Sequence, residues 1–216
     1  MTSTPTVTED RVVKSRDRVK AYGEVFTPRH MVDRMLDLVW PELETDRGFV
    51  DATFLEPAAG DGNFLVAILR RKLRAIEKRY PSKDWPLESL YALASIYGVE
   101  LLEDNHREAR EAMLAEFLAF QQAHDIPCGP RTDVCRAATF LINTNIVQGN
   151  TLTGRTFECE VIMFSWWNRI AGAPGMVQRE PFTLSSLRYD SFDFTDYTSY
   201  EPCMIDRVHE EVRVHA

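Results

Sequence analysis

The stretch FLEPAAGDGNFLVAIL, Phe54 to Leu69, sets a proline, two glycines and two carboxylates between two apolar runs. The first run, ATFLEP, reads as a short buried strand that ends at Glu56. From Asn63 to Tyr80 the apolar residues Phe64, Ile68, Leu69 and Ile76 recur at helical spacing, with the basic run RRKLR on the other side. A strand that passes through a glycine-bearing loop into a helix opens a βα unit. In doubly wound α/β folds, ligands bind in the crevice beyond the carboxyl ends of such strands.

Moving outward, the alternation continues. Upstream, GEVFTPRHMVDRMLDLVW turns through Gly23 and Thr27-Pro28 into a helix. Thr27 is placed to cap it, Pro28 to begin it, and Met31, Met35, Leu38 and Val39 to form its apolar stripe. Downstream, SIYGVEL reads as a strand ending near Glu100. DNHREAREAMLAEFLAFQQAH then reads as an amphipathic helix with Ala109, Met113, Leu114 and Phe117 on one face. TFLINTNIVQGN reads as a third strand ending before Gly149-Asn150, and CEVIMFS as a fourth. This order implies βαβ units and a mostly parallel sheet with flanking helices. After about residue 172 the pattern lapses into GAPG and an aromatic, acidic tail, LRYDSFDFTDYTSYEP, with MIDRVHEEVRVHA as a short closing helix. The expected organisation is an N-terminal arm (1–20), a cofactor-binding domain (21–172) and a C-terminal extension (173–216).

The loop EPAAGDGN suits a ligand with positive and hydroxyl-bearing groups. Gly60 and Gly62 let the backbone bend and approach closely, while Glu56 and Asp61 would repel a phosphate, and there is no GKS or GKT. Glu100 follows Glu56 by 44 residues, and an acidic residue at a second strand end typically takes ribose hydroxyls. Two acidic strand ends beside an acidic glycine loop suit S-adenosylmethionine, which carries a sulfonium, an amino group and a ribose. An ordinary strand-to-helix turn is the plain alternative. Nicotinamide-dependent redox chemistry fits poorly, because the glycine spacing is not GxGxxG.

Three segments in order, GEVFTPRHMVDRML, FLEPAAGDGNFLVAIL and IYGVELLEDN, resemble the N6-adenine DNA methyltransferases of restriction–modification systems in the arrangement with the cofactor motifs first. VFTP looks like motif X, LEPAAGDGNF like motif I (usually DPACGSGNF), GVELLEDN like motif II and QGNTL like motif III. The resemblance covers roughly half the chain. It implies a Rossmann-like methyltransferase fold, shortened at its C-terminal end, with S-adenosyl-L-methionine as cofactor. It also implies DNA, or RNA, as partner. By the same resemblance Phe26, Thr27 and Pro28 contact the methionine end, and Glu56, Pro57, Ala58, Gly60, Gly62 and Phe64 form the cofactor loop. Glu100 binds the ribose, Leu101 flanks the adenine, and the carbonyl oxygen of Asn150 stands where an acidic residue often meets the adenine amino group.

The resemblance breaks at the catalytic motif. The family places NPPY or DPPY at the end of its fourth strand: the Asn or Asp and a backbone carbonyl accept the hydrogens of adenine N6, and the Tyr stacks on the flipped base. This chain has VIMFSWWN, which puts Ser165, Trp166, Trp167 and Asn168 in that place. Trp166 or Trp167 is suited to stacking on a base, and both are equally suited to a core. Two readings follow. One is an S-adenosylmethionine-dependent methyltransferase acting on adenine N6 of DNA through a divergent loop; the other is a catalytically silent cofactor-binding subunit, or a decoy, of a modification complex. The short C-terminal part also suggests completion by a second copy or a second subunit that supplies target recognition. The aromatics Phe182, Tyr189, Phe192, Phe194, Tyr197 and Tyr200 would suit such a surface.

Bulk properties set the remaining bounds. With 216 residues, 44% of them hydrophobic and 27% charged, the chain has enough for a packed core. The net charge of −8 opposes generic nucleic-acid affinity, although RVVKSRDRVK (Arg11 to Lys20) carries five basic residues, either a solvated helix face or a phosphate-binding footprint. The four cysteines form no CxxC pair, so reduced, buried thiols are expected and no metal site. With no signal pattern and no apolar run of membrane length, a cytoplasmic protein with no membrane association is expected.

Overall fold

A computed structural model of the chain describes residues 12–45, 48–187, 200–210 and 212–213. The protein is α/β, and its centre is a three-stranded parallel sheet in the order β1 (Phe54–Glu56), β2 (Ile96–Glu100), β3 (Ile146–Gln148). The register sets Glu56 opposite Gly98 and Glu100 opposite Gln148, so the three strands end along one edge. Helices α3 (Asn63–Arg79) and α4 (Trp85–Ala94) connect β1 to β2; α5 (Glu103–Ala123) and α6 (Asp133–Asn145) connect β2 to β3. Two helices, α1 (Arg16–Tyr22) and α2 (Arg29–Thr45), precede the sheet. No helix among the described residues is long and apolar enough to cross a membrane.

Alternation along each strand divides the core. Phe54, Ile96 and Ile146 face the helices and join a cluster with Leu65, Leu69, Ile76, Met113, Phe117 and Leu141. Leu55, Tyr97, Val99 and Val147 face the other way, onto Ile162, Phe164, Phe182 and Leu184. Those last residues lie in or flank a second, antiparallel sheet of β4 (Met163–Arg169), β5 (Met176–Thr183) and β6 (Cys203–Met204). An antiparallel hairpin thus covers the face that a longer α/β chain would cover with helices.

The expected fourth parallel strand is therefore corrected. Between β3 and β4 the chain forms no helix; it makes a small looped structure with bridges Asn150–Arg155 and Arg155–Val161. Without a helical crossover to carry it back to the starting edge, the chain cannot begin another parallel strand. It instead runs from Ile162, against Gly149 at the strand ends, to Arg169, whose guanidinium is 2.8 Å from Asp51 ahead of β1. GAPG is the hairpin turn into β5, with Gly172 and Gly175 in the left-handed region, and not the end of ordered structure.

Smaller expectations also change. Residues Thr139 to Asn145, read as strand, lie in α6, which Thr132 caps through the Cys135 amide; only Ile146–Gln148 is extended. On α2, Val32 and Leu36 are buried, whereas Met31, Met35, Leu38 and Val39 are exposed, so the packed stripe is the neighbouring one; Pro28 precedes the helix rather than opening it. Lys72, assigned to the solvated side of α3, is fully buried and donates to Val50 O, Ala52 O and Ser95 Oγ. Within the N-terminal arm, Lys14 and Arg18 pair with Asp104 on α5. Of the tail aromatics, Phe182 and Tyr200 are buried, and Tyr189, Phe192, Phe194 and Tyr197 lie outside the described residues. The closing segment is a 3-10 turn, Ile205–Glu210.

Candidate functional site

The edge where the parallel strands end carries a cleft of about 290 Å³. Four separated stretches line it: Tyr22 to Phe26, Pro57 to Gly60, Glu100 to Asn105, and Gly149 to Leu152. Local chemistry explains each wall. Gly60 has φ +57°, and a Cβ there would come within 3.2 Å of the Phe26 ring, so the loop closes tightly beneath that ring. Ala59 N–H donates to Val99 O at 2.9 Å, which pins the loop to the end of β2. Gly62 has φ +92°, and a Cβ there would lie 2.9 Å from Ala109 Cα, so glycine lets α3 start directly against α5. The Asn63 side chain donates to Thr27 O at 3.2 Å and ties the Phe26 segment to the same loop.

Glu100 forms the acidic floor. It is buried, its Oε2 accepts the Gly60 amide at 2.7 Å, and its Oε1 accepts the Leu102 amide at 2.9 Å. A carboxylate offers about four lone-pair sites, so these two amides and Asn105 Nδ2, which donates to Oε1 at 3.4 Å, still leave acceptor capacity for a hydroxyl of a ligand. Glu24, a second buried acid, accepts from Asn105 Nδ2 at 2.6 Å and from both ends of the Arg18 guanidinium at 2.6 Å. Burial alone would raise the Glu24 carboxyl, but Arg18 and Asn105 outweigh it and hold the group below the usual carboxylate range. Arg18 and Lys14 hold Asp104 still lower. Two basic residues of the N-terminal segment, Lys14 and Arg18, are thus engaged with the protein's own acids. They clamp α1 to the start of α5 and so fix the wall that contains Tyr22 and Glu24.

Of the residues expected around a cofactor, the fold brings Phe26, Pro57, Ala58, Gly60, Glu100, Leu101 and Asn150 to the cleft. Thr27, Pro28, Glu56, Gly62 and Phe64 do not line it. Thr27 and Gly62 act through the contacts above, Pro28 O accepts the first amides of α2, and Phe64 packs on the core. Glu56 accepts from the Ala58 amide at 3.1 Å, and burial pushes its carboxyl up. The carbonyl oxygen of Asn150, expected to meet a ligand amino group, already accepts the Leu152 and Thr153 amides at 2.9 and 3.3 Å; its role is to turn the loop. Tyr22, Glu24, Asn105 and Thr151 were not foreseen. Glu24 and Asn105 sit inside the quoted motif segments, but only their burial reveals them.

The four residues expected to be catalytic lie elsewhere. Ser165, Trp166, Trp167 and Asn168 form the body of β4. Ser165 is 1% exposed; its Oγ accepts from Arg179 Nε at 2.8 Å and its carbonyl from the Tyr97 hydroxyl at 2.8 Å. Trp166 stacks on Phe182 at 4.1 Å, and Trp167 is buried with its Nε1 3.2 Å from Asn145 Oδ1. Asn168 donates to Glu180 at 2.9 Å. Trp166, Trp167 and Asn168 border a depression shared with Asp51, Thr53, Ala94 and Ser95, where β1 and β2 begin. The length of β2 puts that edge roughly 13 Å from the cleft, whereas reacting groups must meet at about 3–3.5 Å. The correction has one cause, the reversed direction of β4.

Compared with known proteins, the chain matches no family model, no curated protein and no solved structure.

Proposed function

We propose that the cleft binds S-adenosylmethionine and that the protein is a methyltransferase-type component of nucleic-acid modification, with adenine N6 of DNA as the acceptor. One observation carries this reading: residues from four separate stretches, three of them resembling cofactor motifs of that family, converge on one cleft at the carboxyl edge of a parallel sheet. The strand order β1–β2–β3 is compatible with half of a Rossmann-like methyltransferase sheet. The donor set fits the ligand. Glu100 has acceptor capacity for ribose hydroxyls and favours a cationic ligand over a phosphate, and the Phe26 ring over Gly60 suits the methionine end. Leu101 and the Gly149–Leu152 loop would flank the adenine. When bound, the cofactor supplies an electrophilic methyl group; the chain's part is to orient it and to exclude water behind Phe26 and Tyr22.

A second reading, a cofactor-binding subunit that receives its acceptor-binding groups from another chain, is favoured by the placement of Ser165 to Asn168 inside β4, away from the cleft. Calorimetric titration with S-adenosylmethionine, followed by methyl transfer to unmodified DNA in the same preparation, tests both. Binding with transfer supports the enzyme, and binding without transfer supports the subunit. No binding overturns the assignment of the cleft.

A further inference from the structure

A second constellation lies where α6 begins and the 3-10 turn Ile205–Glu210 ends. Asp133 is in the first turn of α6; His209 and Glu210 close the turn Ile205–Glu210. The His209 side chain is only 6% exposed, yet among the described residues neither Nδ1 nor Nε2 has a hydrogen-bond partner. A buried imidazole with both nitrogens unsatisfied is costly and calls for an explanation.

The surroundings supply one. His209 Nε2 stands 3.8 Å from Asp133 Oδ1 and 3.6 Å from Glu210 Oε1, and one ligand atom from each of the three residues lies within 4.8 Å of the others. The outer carboxylate oxygens are held from behind by a single guanidinium: Arg207 is 3.0 Å from Asp133 Oδ2 and 3.2 Å from Glu210 Oε2. That fork turns the inner oxygens toward the imidazole. Arg136 Nη1 reaches both inner oxygens only at 3.7 Å, longer than a hydrogen bond.

We propose that Asp133, His209 and Glu210 form a site for a divalent first-row metal ion, of the zinc class, that fastens the last turn of the chain to α6. One imidazole nitrogen and two carboxylate oxygens make a borderline donor set of the kind zinc accepts. Bonds of about 2.0–2.2 Å place tetrahedral ligand atoms roughly 3.3–3.6 Å apart; the two distances from the imidazole, 3.8 and 3.6 Å, are already near that spacing, and the two carboxylates, within 4.8 Å of each other, draw together around the ion. Arg207 acts as the outer partner that orients both carboxylates. Arg136 is the cation that the metal displaces. Three protein ligands leave a fourth position for water.

The experiment uses the full chain, stripped with a chelator and titrated with zinc chloride near neutral pH. One equivalent is expected to bind and to raise the unfolding temperature. His209→Ala and Glu210→Gln are each expected to weaken binding at least tenfold, whereas Arg136→Ala, which removes the competing cation, binds as tightly or more tightly. Glu210 is exposed, so its variant keeps the fold if His209→Ala does not. Because the four described cysteines are free thiols, cobalt(II) serves as a spectral probe. Ligand-field bands without intense thiolate charge-transfer bands are expected. The absence of binding, affinity unchanged in Glu210→Gln, or thiolate bands from the bound cobalt would overturn the proposal.

Discussion

Replacing Glu100 by glutamine changes one oxygen into an amide and leaves the shape alone. In the wild type, each carboxylate oxygen accepts one backbone amide, Gly60 at 2.7 Å and Leu102 at 2.9 Å. The glutamine NH₂ must face one of them, so one charge-assisted hydrogen bond is lost and two donors are opposed. Such bonds contribute about 1.5–3 kcal/mol each, so the variant should lose about 2 kcal/mol from the contact that holds the Gly60 loop against β2. Gly60 and Leu102 both line the cleft, and much of that loss should appear in ligand affinity. A tenfold change corresponds to about 1.4 kcal/mol, so S-adenosylmethionine or its demethylated product should bind at least tenfold more weakly by calorimetry. Glu56→Gln is the control. Its carboxylate accepts the Ala58 amide and does not line the cleft, so affinity should change less than threefold, about 0.6 kcal/mol. If Glu100→Gln binds as tightly as wild type, or if Glu56→Gln is the more damaging variant, the assignment of Glu100 as the floor of the site is wrong.

Ser165→Ala should cost about 1–2 kcal/mol in urea unfolding, because it removes the acceptor of Arg179 Nε, and should leave cofactor affinity unchanged; methyl transfer abolished at unaltered stability would restore Ser165 to catalysis. Gly62→Ala forces a Cβ to within 2.9 Å of the α5 backbone at a φ of +92°, and should lower stability by about 2 kcal/mol or more; an unchanged melting temperature would contradict the close approach of α3 and α5. Glu24 and Asp104 are held below the ordinary carboxylate range in the folded protein. Their stabilisation is therefore present above about pH 4, the unfolded value, and is lost as pH falls through the lower folded values. Arg18→Ala should flatten that acid limb in urea titrations at successive pH values. Burial lowers the Lys72 ammonium well below its free value of about 10.4, so wild-type stability should rise as pH climbs toward that value. Lys72→Met should remove the rise, and an unchanged pH profile would mean that Lys72 reaches water.

The parallel half of the fold was legible because its signals are local. The loop from Pro57 to Gly62 needs glycines for its backbone, β1 and β2 are short apolar runs ahead of acidic ends, and α3 and α5 show helical periodicity. The strand-like reading of Thr139 to Asn145 failed because a short apolar run has the same composition in a buried helix; the Thr132 cap was the overlooked signal. Lys72 was assigned to solvent because periodicity ranks a lysine as polar and cannot see three acceptors gathered from residues far along the chain. Of the residues that line the cleft, Phe26, Gly60 and Glu100 were legible from motif spacing. Glu24 and Asn105 were not, since their importance comes from burial against Arg18 and Glu100.

By itself, then, the sequence determined that strands and helices alternate, that an acidic glycine loop ends the first strand, and that Phe26, Gly60 and Glu100 gather beyond the strand ends. Those outcomes follow from backbone geometry and short-range periodicity. Only the tertiary structure decided the direction of β4, and with it whether Ser165 to Asn168 face the cleft or the core. Strand direction depends on what connects two strands and which sheet face remains uncovered. Here the helix-free loop after β3 and the bare apolar face of Leu55, Tyr97 and Val99 together drew the chain back across the sheet as a hairpin.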